Sequence, residues 1–251
     1  MDLNQLFFRA FEQQGANFLA FLLPDFKRRI KAKSWSEVIS VLASFFQPEH
    51  AEPRYDPKKS GSTRRSSFRA IKHVRFGKEF KLTLRKYPPG GRSGWQLIWH
   101  MIRSCAALAD WDYDFGKALA DIGILDFLQG TDLADPLSLW NEREVQCAPF
   151  LARLSGVGWN TFDYVLRDLD CPGCVHLFKV DSTNAAFVAK MAADSVNRDR
   201  QRYLRVLSDS GVLARYPAAV VNIAIYAFFS SNCLNFHRRY YPCNWRLFAE
   251  A

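Results

Sequence analysis

At 251 residues and 49% hydrophobic, the chain is long enough for one large domain or two small ones around a sizeable core. A formal charge of +9 and a pI near 9.3 weigh against a purely metabolic enzyme and toward a polyanionic partner, although charge also serves solubility. No apolar run reaches the roughly 18 to 20 residues of a membrane helix, and Met1-Asp2-Leu3-Asn4 opens without a basic leader or cleavage pattern, so an intracellular, unanchored chain is expected; a monomer is expected as well.

Residues 3–23 place Leu3, Leu6, Phe7, Phe11, Phe18, Leu19 and Leu22 in helical register, with a break expected near Gly15. Lys27 to Lys33 is a basic connector. Ser34 and Glu37 then have the spacing of a capping box, which opens a helix with Val38, Leu42 and Phe45 on its buried stripe. Residues 1–47 thus form N-terminal helices expected to pack on the remainder. From 48 to 94 the composition shifts to Pro, Gly, Ser and many cations, opposed by Glu49, Glu52, Asp56 and Glu79 alone. Ile71 to Phe76 and Phe80 to Leu84 alternate around Gly77-Lys78-Glu79 as a β-hairpin does. Arg64, Arg65, Lys72, Arg75 and Lys81 make this insertion a basic arm, either for tracking phosphates or as a solvated loop.

Residues 95–251 read as a helical core. Leu97, Ile98, Met101, Ile102 and Cys105 share one face of a helix from Trp95 to Leu108. Another helix ends near Gly130, and a short one is expected from Pro136 to about Trp140. Val145, Phe150, Leu151 and Leu154 form a helical stripe before Gly156-Val157-Gly158, and Phe162, Val165, Leu166 and Leu169 form one after it. Beyond Asp181, helices are expected over Ala185–Met191, over Asp199–Leu207 with Arg200, Arg202 and Arg205 outward, and over Pro217–Phe229. The last is apolar on all sides and is expected to be buried.

Two glycines bracketing one apolar residue allow a tight hairpin between helices. The first amides of the second helix have no intrahelical partner, and with the helix dipole they suit a phosphate oxygen. Leu154, Ser155, Gly156, Val157, Gly158 and Thr161 are therefore the candidate phosphate-binding residues; a monovalent cation is compatible with this hairpin. Downstream, Asp181 in Lys179-Val180-Asp181-Ser182-Thr183-Asn184 has the make-up of a helix cap and of a catalytic carboxylate. Six cysteines without a secretory leader point to thiols rather than disulfides. Cys171-Pro172-Gly173-Cys174 has metal-ligand spacing but lacks a second pair, so an ordinary turn is expected in preference to zinc.

Leu154-Ser155-Gly156-Val157-Gly158 with Thr161, followed by Val180-Asp181-Ser182-Thr183-Asn184, resembles the helix-hairpin-helix DNA glycosylase superfamily, HhH-GPD. The resemblance spans about Trp95 to Leu234, with the hairpin at 145–169 and the aspartate loop at 170–184. It implies a mainly α helical bundle, here carrying a small basic β-hairpin insertion. It also implies an enzyme that flips a damaged or modified base from double-stranded DNA and hydrolyses its N-glycosidic bond, with Asp181 as the catalytic carboxylate. Where lyase members of the family carry a lysine, this chain has Asn160, an amide that cannot form a Schiff base, so a monofunctional glycosylase is implied. The four clustered cysteines of the cluster-binding members are not reproduced by Cys233 and Cys243, and no iron–sulfur cluster, metal or other cofactor is expected. By approximate alignment, Trp99, Trp111, Tyr113 and Trp159 are candidates for stacking on the base, and Arg103 or Ser104 for filling the gap in the duplex. Two alternatives stand beside hydrolysis. One is a glycosylase-derived enzyme performing another transfer on modified viral bases, and the other is a DNA-binding protein without catalysis.

Overall fold

The computed structural model describes residues 2–12, 17–46, 91–130, 136–169, 171–191 and 200–232. These are mainly helical, with no strand among them. The β-hairpin expected at 71–84 and the arm residues Arg64, Arg65, Lys72, Arg75 and Lys81 lie outside the described residues, as do Cys233, Cys243 and the basic aromatic tail. In chain order the helices are α1 (Leu3–Glu12), α2 (Asn17–Arg29), α3 (Trp35–Ala43), α4 (Gly91–Ala107), α5 (Phe115–Asp121), α6 (Ile124–Gly130) and α7 (Pro136–Arg153). They continue with α8 (Trp159–Arg167), α9 (Ser182–Met191), α10 (Arg200–Asp209) and α11 (Ala218–Asn232), and short 3-10 turns fall at Ala109–Trp111, Pro172–His176 and Val212–Ala214.

The chain divides into two compact units. The first comprises 1–124 and 147–158, and the second 125–146 and 159–251. Residues of α7 belong to both units.

Apolar stripes explain the first unit. Leu6, Phe7, Ala10 and Phe11 of α1 are buried, as are Val38, Ile39 and Leu42 of α3 and Leu97, Ile98, Met101, Ile102 and Cys105 of α4. Phe7 lies 5.4 Å from Phe11 and 5.0 Å from Phe115, and Phe115 lies 6.1 Å from Phe150, so aromatic contacts link α1, α5 and the end of α7. The capping box at Ser34 is formed. Its hydroxyl accepts from the Glu37 N–H at 3.3 Å while the Glu37 carboxylate accepts from the Ser34 N–H at 3.2 Å. Asn4 ties the packed helices together, its Oδ1 accepting from the Phe115 N–H at 2.7 Å and its amide donating to Ser36 Oγ at 3.3 Å.

The second unit has a more polar interior. Trp140, Leu166, Phe178, Val180, Tyr203 and Leu204 are buried, and so are Arg143, Asp163, His176, Asn184 and Asn222. Four expectations are corrected here. The helix from Pro136 does not stop near Trp140 but runs through Pro149 to Arg153. Val145 is 81% exposed, because α7 turns Arg143 and Cys147 inward instead. Arg200 faces inward onto Asp163 and Glu144, since two carboxylates compensate its burial. Finally, α11 is not buried all round: Ala218, Ala219 and Val221 are covered while Val220, Ile223 and Tyr226 stay exposed, so three apolar side chains meet solvent on one side.

Candidate functional site

The hairpin loop belongs to the first unit and is held by α4. Ser104 is fully buried and clips the backbone of Ser155 from both sides, accepting from its N–H at 2.8 Å and donating to its carbonyl at 2.9 Å. His100, one helical turn earlier on the same face, meets Ser155 Oγ through Nδ1 at 2.8 Å. Burial, with the nearby charge of Arg103 adding to it, holds the His100 pKa below its ordinary value, so the ring is neutral near pH 7. Ser104 is therefore part of the hairpin's scaffold, and the gap-filling role by alignment does not fit a side chain with no exposed surface.

The two glycines of the turn differ. Gly156 has φ of +77°, and a Cβ there would lie 2.7 Å from the Cβ and Cγ of His100, so the protein's own packing demands glycine. Gly158 has no such need: a Cβ would meet nothing within 4 Å. Leu154 and Val157 are buried while Gly156 and Gly158 are exposed, which anchors the loop by its apolar side chains and turns its glycines to solvent.

The aspartate lies in the second unit, at the start of α9. Asp181 Oδ1 accepts from the N–H groups of Thr183 at 2.8 Å and Asn184 at 3.0 Å, the geometry of an N-cap. Among the described residues no hydrogen bond reaches Oδ2, and the side chain is half-buried. The peptide just before it is clamped by Asn160, on the first turn of α8. Its amide donates to the Val180 carbonyl at 2.9 Å and its Oδ1 accepts from the Val180 N–H at 3.2 Å. Both backbone groups of Val180, itself fully buried, are thereby satisfied. Beneath the loop, Asn184 donates to Tyr203 Oη and to the Asn222 carbonyl, and Asn222 donates to the Lys179 carbonyl. Burial pushes the Tyr203 hydroxyl well above its ordinary pKa, and the charge of Asp181 adds to this.

Trp159 opens α8 but is engaged by cations. Arg143 is fully buried between Trp140 and Trp159, its guanidinium 4.7 and 4.6 Å from the two ring centroids, and Arg200 lies 5.2 and 4.9 Å from the same rings. Arg143 Nη1 approaches Asp163 Oδ1 at 2.6 Å without hydrogen-bond alignment, while Arg200 donates to Asp163 Oδ2 at 3.0 Å and to Glu144 Oε1 at 2.5 Å. Burial raises Asp163 to about 6 against the pull of Arg143 and Arg200. Nothing local in the sequence distinguishes Arg143 or Arg200 from solvent-facing cations, so spacing alone does not reveal this cluster.

The other stacking candidates belong to the first unit. Trp99 is 1% exposed and packs on Phe46 at 6.0 Å, so it has no open face for a base. Trp111 donates to Asp121 at 2.9 Å and carries Arg153 over its ring at 4.5 Å. Tyr113, Arg103 and Thr161 are half-buried, and Tyr113 takes a left-handed φ of 59°. Cys174 is buried in the 3-10 turn and Cys171, half-buried, precedes it; neither forms a disulfide among the described residues. Among the described residues no group of three or more His, Cys, Asp or Glu side chains has the arrangement to hold a metal ion, and no helix is long and apolar enough to cross a membrane. Comparison with protein-family models, curated proteins and solved structures finds no match to the chain.

Proposed function

We propose that the chain is a monofunctional DNA N-glycosylase, a divergent member of the helix-hairpin-helix superfamily it resembles, acting on duplex DNA with a damaged or modified base. The observation that carries this is the clamp of Asn160 on Val180, which fixes the peptide preceding Asp181 while one carboxylate oxygen, Oδ1, is tied to α9. Held so, Oδ2 is the oxygen for an electron-poor C1′ and for the water that attacks it. As the base departs, positive charge grows on the sugar, and a fixed carboxylate stabilises that state. Asn160 holds a backbone where an amine nucleophile would stand, so no imine forms and the product is an abasic site with an intact strand. The exposed glycines of the hairpin support phosphate binding, and no step requires a metal or cluster. An intracellular location goes with a DNA substrate.

A carboxylate that caps a helix also suits a protein that binds DNA without reacting on it. Asp181→Asn separates the two, because asparagine caps as well as aspartate but carries no charge. Thermal stability is expected to stay within about 0.5 kcal/mol of wild type, while base release from a panel of duplexes with single modified bases falls at least about a hundredfold. Undiminished release by the variant sinks the mechanism. Salt-sensitive duplex binding by wild type, with no abasic sites on any substrate, favours the binding protein. Bases of altered mass without abasic sites favour the transfer alternative.

A further inference from the structure

A cavity of about 400 Å³ opens in the first unit between the end of α2 and the start of α3, lined by Pro24, Lys27, Arg28, Lys31, Ala32 and Trp35. Three of these six are cationic and none is acidic. Of the acids nearby, Asp25 is 5% exposed and already holds Arg28 at Oδ1 and Arg29 at Oδ2, and the Glu37 carboxylate is taken up by the backbone N–H groups of Lys33 and Ser34. No carboxylate among the described residues pairs with Lys27 or Lys31. Instead the Lys27 ammonium stands 4.6 Å from the centroid of Trp35, whose ring is braced by Phe8 at 5.0 Å.

Basic residues in a last helical turn offset the helix dipole, and that accounts for Lys27, Arg28 and Arg29 as a run. It does not account for Lys31. The chain reverses there through a left-handed φ of 54°, with Lys31 N–H on the Arg28 carbonyl and Ala32 N–H on the Lys27 carbonyl. The reversal brings a third cation to the same mouth. Three cations around a concave wall with an indole match an anion that carries apolar surface beside its charge.

We propose that this cavity binds a phosphodiester of a nucleic-acid strand, with Lys27, Arg28 and Lys31 on the phosphate oxygens and Trp35 against the adjoining sugar. The site stands whether or not Asp181 catalyses, since it requires only the strand.

The test uses the full chain and a fluorescein-labelled, unmodified 20-base-pair duplex, with anisotropy followed across a salt series. Arg28 also pairs with Asp25, so the variant is Lys27→Gln with Lys31→Gln, and Lys27→Arg with Lys31→Arg is the charge-retaining control. The glutamine variant is expected to bind on the order of tenfold more weakly at low salt. Its slope of log affinity against log salt should shrink by about 0.9 for each phosphate lost, while the arginine variant keeps the wild-type slope. An unchanged slope in the glutamine variant, or no duplex binding by wild type, overturns the site. Calorimetry with inorganic phosphate identifies the source. Sub-millimolar binding that both lysines support, without any effect of their loss on the duplex, overturns the strand as ligand.

Discussion

The two units are built on different interiors. The first joins its helices through Phe7, Phe8, Phe11, Phe115 and Phe150, rings whose burial is favourable in almost any orientation that excludes water. The second buries Arg143, Asp163, His176, Asn184 and Asn222, whose polar atoms demand partners at fixed distances and angles. Some go without: the side-chain oxygens of Asn184 and Asn222 and the guanidinium nitrogens of Arg143 are buried with no hydrogen bond among the described residues. An aromatic interior gives stability that tolerates repacking, while a polar one ties geometry to charge. Asp181 and the peptide that Asn160 clamps lie in the second kind.

The largest expected effect breaks that contrast at its centre. Arg143→Met leaves Asp163 buried with Arg200 as its one hydrogen-bonding cation, and should cost about 3–5 kcal/mol in urea unfolding. A loss below about 1 kcal/mol would show that the buried charges are not coupled.

Next is the turn, where the first unit makes its own geometric demand. Gly156→Ala should destabilise by about 2 kcal/mol or more, from a left-handed φ and a collision with His100. Gly158→Ala should leave stability unchanged or raise it by up to about 1 kcal/mol, because its Cβ points into open space. If a DNA backbone approaches the turn, that same alanine weakens duplex binding in a fully folded protein. Equal binding by wild type and Gly158→Ala removes the hairpin from the interface.

Asn160→Ala is expected to cost about 1–2 kcal/mol, since it strands both backbone groups of buried Val180. Its base release should fall by more than its duplex affinity, because the clamp places the carboxylate and not the DNA. Parallel losses in both would reduce Asn160 to a structural residue.

The smallest effect is a pH dependence. Burial lowers the pKa of His176 from its ordinary 6.5, and its Nδ1 accepts from the Ala218 N–H at 3.3 Å, which protonation of that nitrogen abolishes. The unfolded chain therefore takes up the proton first. Stability from this group is present above about pH 6.5 and is lost as the pH falls below it. A melting temperature followed from pH 7.5 to 5.5 should decline at the acid end, and His176→Asn should flatten part of that decline. His100, also lowered by burial, contributes in the same direction.

What the sequence alone determined is what neighbours along the chain decide. The capping box of Ser34 and Glu37, the buried face of α4, the glycine turn and the helix after Asp181 each depend on side chains within a turn or two, so spacing reveals them. Only the tertiary structure decided which way α7 faces, with Val145 out and Arg143 in, because that follows from Asp163, Trp140 and Trp159 and not from α7's own pattern. It decided likewise that Arg200 points inward, and that Asn160 reaches across 20 residues to hold Val180. A cation or an amide is indifferent in sequence between water and a buried partner. The fold settles the choice by supplying, or withholding, the group that compensates its burial.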